Sequence, residues 1–342
     1  MPHKTFFWFF FPSGLAMLFF IGLPIFSSLF QSLHIETEQI LMEVESCDPF
    51  GCEMEVQVDE EATSKLRDEN PMGKFNGLGT YIDRNHLAFS ELGEAWEKKT
   101  SFNNFISTLL NLPFYKALLF TLTFCFAVTP FVIVLGFFVA LSLNVLSKSI
   151  KGPLIFGSIL PMIVTPLIGS LVLFWMIDAQ GILGATLQYI FDDPNLSLKS
   201  SKNLTWMMLI IYGIWHNTPF AFIVFYAGLQ TVPQDPIEAA IIDGASRSQR
   251  VRFIVLPHLY PVATFIALIC LMDNFRVLEP ILGFSAEGVA QSLSWMIYQD
   301  LRNETAMLFG SAGATSMLTI IGVGILLTPV LIRTWKEFRT ER

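Results

Sequence analysis

Six runs of apolar residues, at 6–33, 114–145, 154–177, 204–229, 259–283 and 306–332, constrain this chain more than any other feature. Each is long enough for the roughly 20 residues with which a helix crosses about 30 Å of hydrocarbon. In that solvent every backbone amide must be bonded within the protein, so one helix per run is the expected form. Hydrophobic residues fill 53% of the 342 positions and charged ones only 15%; soluble domains carry about 25% charged residues. The expected fold class is an all-α polytopic membrane protein with six transmembrane helices. The first run is about twice the 7–15 apolar residues of a signal peptide and has no Ala-x-Ala ending, so it reads as a retained span.

The polar intervals carry the organisation. A net charge of −8 suggests a soluble acidic protein, yet sixteen of the 29 acids lie within residues 36–97. The acidity therefore belongs to one loop. Three regions follow: 1–33, the cytoplasmic N-terminus and first helix; 34–112, a large extracytoplasmic insertion between helices 1 and 2; and 113–342, a five-helix core with a cytoplasmic loop at 235–257. Residues 36–70 are rich in Glu and are expected to be partly disordered. Residues 73–104, with Tyr81, Phe89, Trp96 and Phe102, are expected to fold onto the membrane domain. Cys47 and Cys52 flank a Pro-Phe-Gly reversal and are either a disulfide or two free thiols. Cys125 and Cys270 fall in apolar spans and read as core residues. Short loops with Lys148, Lys151, Arg247, Arg250 and Arg252 lie on one side and those with Lys199, Lys202 and Arg302 on the other. The excess puts 235–257 and both termini in the cytoplasm. No basic surface suits nucleic acid, and the lipid membrane is the expected surrounding.

Residues 236–261, PIEAAIIDGASRSQRVRFIVLPHLYP, interrupt the apolar core with two helix starts in succession. Asp235 is expected to cap a first helix with Pro236 at its first position and Glu238 at its third. Gly244 ends it in the left-handed conformation that glycine enters without a Cβ penalty. Ser246 and Gln249 repeat the box for a second helix, expected to stop at Pro257. Ile237, Ala240 and Ile241 on the first, and Val251, Ile254 and Val255 on the second, recur at helical spacing, so each helix has one face to bury.

Glu238-Ala239-Ala240, Asp243-Gly244-Ala245, and then Ile254, Leu256 and Pro257 resemble the EAA loop of membrane subunits in bacterial binding-protein-dependent ABC importers. The likeness is closest to the sugar-type permeases, such as the maltose and glycerol-phosphate importers. It implies that Glu238, Ala239, Ala240, Asp243, Gly244, Ala245, Arg247, Val251, Ile254 and Pro257 couple this chain to an ATPase. It also implies an ABC ATPase dimer that binds ATP and Mg, no cofactor in this chain itself, a second homologous permease, an extracytoplasmic solute-binding protein and a place in the bacterial inner membrane. Val251 stands where the family usually has Phe, and Ser285-Ala286-Glu287-Gly288 replaces the usual Gly-Gly-Pro turn of its re-entrant scoop.

Charges within spans need a reason, because each costs about 2.5–3.5 kcal/mol at the bilayer centre. Asp273 and Arg276, three apart on one helical face with Asn274 and Glu279 nearby, are either a polar wall of a solute pathway or a self-neutralising pair near the boundary. Trp215, His216 and Asn217 precede Pro219, which frees backbone carbonyls. Trp215 and Asn217 suit the C–H faces and hydroxyls of a carbohydrate, or else serve as interfacial anchor and helix glue. Trp175, Trp295 and Tyr298 are further pathway candidates that an aromatic belt also explains. The sequence has no phosphate loop, Cys/His metal cluster or Ser/His/Asp set, so no catalytic residue is expected and ATP hydrolysis is assigned to another chain. A permease translocating a sugar, polyol, glycoside or sugar derivative is the resulting expectation; a secondary transporter or channel is the alternative.

Overall fold

Five of the six apolar runs fold as single long apolar helices, Thr5–Gln31, Pro113–Asn144, Lys202–Leu229, Arg247–Phe275 and Phe309–Arg333. The structure, a computed structural model, describes residues 2–35, 40–48, 51–69, 73–97, 102–199, 201–302 and 308–340. The first span comprises α1 (Pro2–Met17), a π-helical turn (Leu18–Gly22) and α2 (Leu23–Gln31). Next come β1 (His34–Ile35), β2 (Leu41–Asp48), β3 (Gly51–Val58), α3 (Glu60–Glu69) and β4 (Lys74–Phe75). Short helices α4 (Gly79–Ile82), α5 (Phe89–Glu97) and α6 (Phe102–Asn111) lead to the second span, α7 (Pro113–Asn144). Then follow α8 (Lys148–Ile163), α9 (Pro166–Met176), α10 (Ile182–Phe191) and the span α11 (Lys202–Leu229). The rest is α12 (Gln234–Ile242), α13 (Arg247–Arg250), a π-helical turn (Val251–Val255), α14 (Leu256–Phe275), α15 (Glu279–Gly283), α16 (Leu293–Leu301) and α17 (Phe309–Thr340).

One compact unit comprises Met1–Lys116 with Met296–Ile321. The insertion in it is more ordered than its composition suggests: β2 and β3 form an antiparallel hairpin, and Asp59 caps α3 by accepting from the amide of Ala62 at 2.9 Å. The described part of 36–70 thus carries a hairpin and a helix, and with the β1–β4 pair two small antiparallel sheets join an otherwise helical chain. Cross-strand pairing supplies hydrogen bonds that acidic composition alone does not reveal. The hairpin register sets Cys47 opposite Cys52; their side chains, with Pro49 and Phe50, lie outside the described residues. His86 is buried, its Nε2 donating to the Ser311 carbonyl at 3.2 Å and lying 3.1 Å from Thr315 Oγ1. Burial pushes its pKa below that of an exposed imidazole, against opposing pulls from that carbonyl and from Asp300 and Asp83.

The other unit comprises Ala117–Trp295 with Gly322–Arg342. Its core is apolar, with Phe124, Tyr212, Phe222, Phe225, Leu259 and Ile266 fully or almost fully buried. α15 packs on α9 so closely that a Cβ at Gly283 would lie 2.9 Å from the Leu167 carbonyl. Three expectations are corrected here. The third run does not form a straight span: α8 and α9 meet at 94°. Val164 and Thr165 are extended, as the pyrrolidine ring of Pro166 demands of the residue before it. The fifth run leaves its helix at Phe275, not at 283, and residues 276–292 form a mostly non-helical segment around α15. Part of its backbone is bonded to other elements of the unit. Trp206 Nε1 donates to the Val289 carbonyl at 2.9 Å, Ser292 Oγ to Val277 O at 2.5 Å, and the Leu293 amide to Thr121 Oγ1 at 3.2 Å.

The third correction concerns 234–257. The first helix begins at Gln234 behind Pro233, so Asp235 lies inside it and makes no cap. The second does not stop at Pro257: α13 runs through the π-helical turn into α14 as one helix, Arg247–Phe275. Pro257 falls at the start of α14, where a missing amide costs no α-helical bond, and the turn carries the Leu256 amide to the Val251 carbonyl instead.

Candidate functional site

Two features stand out in the second unit: an exposed hook at 234–250 and a polar cavity. In the hook, α12 closes with Gly244 at φ +77°. The Ala245 amide donates to Ala240 O at 2.8 Å and the Gly244 amide to Ile241 O at 3.0 Å, the paired bonds of a Schellman ending. Ser246 then caps α13 through a complete box. The Gln249 amide donates to Ser246 Oγ at 3.3 Å, and the Ser246 amide to Gln249 Oε1 at 2.7 Å. The chain thus reverses on local bonds alone, between residues at most five apart. Glu238, Ala239, Asp243 and Arg247 are exposed, Ala240, Ala245, Val251 and Ile254 half-buried, and Pro257 exposed. No residue of α12 is buried, and Ile242 is 85% exposed.

The cavity has a volume of about 430 Å³. α11 contributes Tyr212, His216 and Asn217; α14 contributes Asp273 and Asn274; the segment beyond it contributes Arg276 and Glu279. Asn217 Nδ2 donates to the Gly213 carbonyl at 2.9 Å and to Asn274 Oδ1 at 3.3 Å, and Asn274 Nδ2 donates to Thr129 Oγ1 at 3.1 Å. This relay fixes both amides. Arg276 and Asp273 form an ion pair at 2.8 Å with both side chains about half exposed. The His216 ring stacks on Tyr212 with centroids 5.7 Å apart, and its buried Nδ1 has no hydrogen-bond partner. Such a wall offers amide, hydroxyl and charged groups to a polar solute, with ring faces beside them.

Four of the eight solute candidates, Asn217, Asp273, Asn274 and Arg276, thus meet at one cavity. The other four do not line it. Trp215 is 48% exposed beside the ring of Tyr212, and Trp175 is 63% exposed beside Phe174. Trp295 packs partly buried on the core with its amide on Ser292 Oγ, and Tyr298 holds the guanidinium of Arg302. Near Trp175, Lys199 bonds Asp178 at 2.7 Å and holds that carboxyl below the usual range. Sequence reasoning missed Tyr212 and Thr129. Tyr212 lies one helical turn before His216, a spacing legible in advance; Thr129, 145 residues from its partner Asn274, left no local signal.

The apolar spans, the broken third run and the capped hook define a class by architecture: all-α polytopic membrane proteins. A family model for the inner membrane component of binding-protein-dependent transport systems matches residues 105–337, and the chain belongs to that family. It is 29% identical over 224 residues to the trehalose/maltose transport system permease protein MalF of Thermococcus litoralis, covering 64% of this chain and 74% of that one. It is 27% identical over 243 residues to the multiple sugar-binding transport system permease protein MsmF of Streptococcus mutans, covering 69% and 81%. A chain of a bacterial ABC transporter involved in the import of the acidic polysaccharide alginate shares the fold, with a TM-score of 0.56 at 21% identity over 83% of this chain and 98% of that one.

Proposed function

We propose that this chain is the permease subunit of an ATP-driven importer for a sugar or related small polar solute, worked by an ATPase dimer through the hook. The observation that carries this is the uncovered apolar surface of α12, with Ile241 and Ile242 exposed, on an element whose next helix continues unbroken into a membrane span. Exposed apolar residues on a rigid projection are a docking surface. A lever joined directly to a span passes a push at one end to the cavity wall at the other, since α14 ends in Asp273 and Asn274. Alternating access follows. Nucleotide binding closes the ATPase dimer, the hook moves with it, and the bundle opens to a solute-binding protein outside, with a second homologous permease completing the pathway. The sugar class is supported by the names of the relatives and by the amide and ring lining of the cavity. ATP and Mg belong to the ATPase, and the hook and both termini to its side of the membrane.

Co-purification tests the proposal. The ATPase should elute with the wild-type chain. Gly244→Pro forbids the positive φ and removes the amide bonded to Ile241 O, and Glu238→Lys reverses a charge on the exposed helix. Each should insert normally and lose the ATPase. A normal complex with both variants would refute the coupling role.

A further inference from the structure

Resting on the transport reading above, we propose that Glu279 makes the cavity electronegative and selects uncharged or cationic solutes over those bearing a phosphate or carboxylate. Three groups in the cavity wall carry full charge by their chemistry: Asp273, Arg276 and Glu279. Arg276 is committed to Asp273 at 2.8 Å, so that pair cancels at a distance. Glu279 has no hydrogen bond or ion pair among the described residues, and its side chain opens on the cavity from the first position of α15. Among these three groups one negative charge is therefore left over. The remaining polar groups are the Asn217 and Asn274 amides, fixed by their bonds to Gly213 O and Thr129 Oγ1, the Tyr212 hydroxyl, which donates to the Pro166 carbonyl, and the His216 ring.

A wall of low-dielectric protein around the cavity sharpens the effect. A cleft lined by an excess of one sign of charge focuses its field into the opening. A solute anion then meets repulsion where a hydroxyl or ammonium donor meets a free carboxylate acceptor. Glu279 thus works in this chain as a specificity-determining residue.

The field can be read without knowing the solute. In the assembled transporter, Asn217→Cys places a thiol on the cavity wall. Its labelling is compared between a cationic trimethylammonium-ethyl and an anionic sulfonatoethyl methanethiosulfonate. Each rate is divided by that reagent's rate with a free thiol and read as the increment over the chain carrying Asn217. The cationic reagent should be favoured by roughly tenfold. Adding Glu279→Gln should bring the ratio to about parity, Glu279→Asp should retain it, and Arg276→Gln should raise it further. A ratio near one with Glu279 present, or one that Glu279→Gln leaves unchanged, would overturn the inference. Those outcomes leave the ATPase association intact, whereas a hook that fails to bind the ATPase would sink the transport reading and leave this ratio as it stands.

Discussion

The hook at 234–250 and the segment at 276–292 are both interruptions between long helices, yet they are held by opposite means. The hook closes on bonds between residues at most five apart, from Ala245 to Ala240 and between Ser246 and Gln249. The segment at 276–292 and the residue after it close on partners far along the chain: Trp206 and Thr121 lie 83 and 172 residues from the groups they bond. Locally closed structure keeps its shape while its surroundings change. Structure closed by distant partners moves only with the whole bundle. A part that meets a motor suits the first arrangement, and a part that walls a cavity suits the second.

Substitutions that treat the two regions alike should separate them. Gly283→Leu has the largest expected effect, because its Cβ meets the Leu167 backbone and the Ser170 side chain. Overpacking of this kind costs about 3 kcal/mol, and a large fall in melting temperature of the purified chain should report it. Trp206→Phe removes the donor to Val289 O and leaves that carbonyl unpaired, costing about 1–3 kcal/mol in the same assay. Gly244→Val introduces a side chain at φ +77° where nothing lies within 4 Å, a strain of about 1–2 kcal/mol confined to the hook. It should lower ATPase association while leaving the melting temperature of the bundle unchanged. Ser246→Ala should cost about 1 kcal/mol of cap, seen as faster amide exchange at Gln249 with no change in residues 276–292. An equal loss of global stability from the variants of the hook and those of the 276–292 region would erase the distinction.

A smaller effect is expected in the first unit, outside both regions. His86 has its pKa lowered by burial from the ordinary 6.5, so the unfolded chain takes up the proton more readily than the folded one. Its contribution to stability is complete above about pH 6.5 and is lost as pH falls toward the folded-state pKa. His86→Gln should flatten that part of the stability profile.

What could be read in the sequence divides along the same line. Gly244 and the Ser246–Gln249 box were legible because caps are local, and the apolar runs because span length is a property of single segments. The break at Val164 and Thr165 was signalled by Pro166, but continuous hydropathy masked it. Pro257 was read as a stop because the π-helical turn that accommodates it has no sequence mark of its own. Asp235 failed as a cap because Pro233 had already set the start of α12. At the cavity, Asp273, Asn274, Arg276 and Asn217 announced themselves as polar residues in apolar runs. Tyr212 and Thr129 did not, since a tyrosine and a threonine are unremarkable in a span until a distant partner gives them a role.

The central claim is that the hook is the surface a nucleotide-hydrolysing partner grips. Ile242→Cys places a thiol on its most exposed apolar position, and cross-linking with a short bis-maleimide in the assembled, transporting complex tests the claim most directly. The account predicts a single adduct with the ATPase subunit whose yield changes on adding ATP. A fully active complex in which that position links to no ATPase, or is labelled only by an impermeant reagent from the opposite side of the membrane, would contradict it.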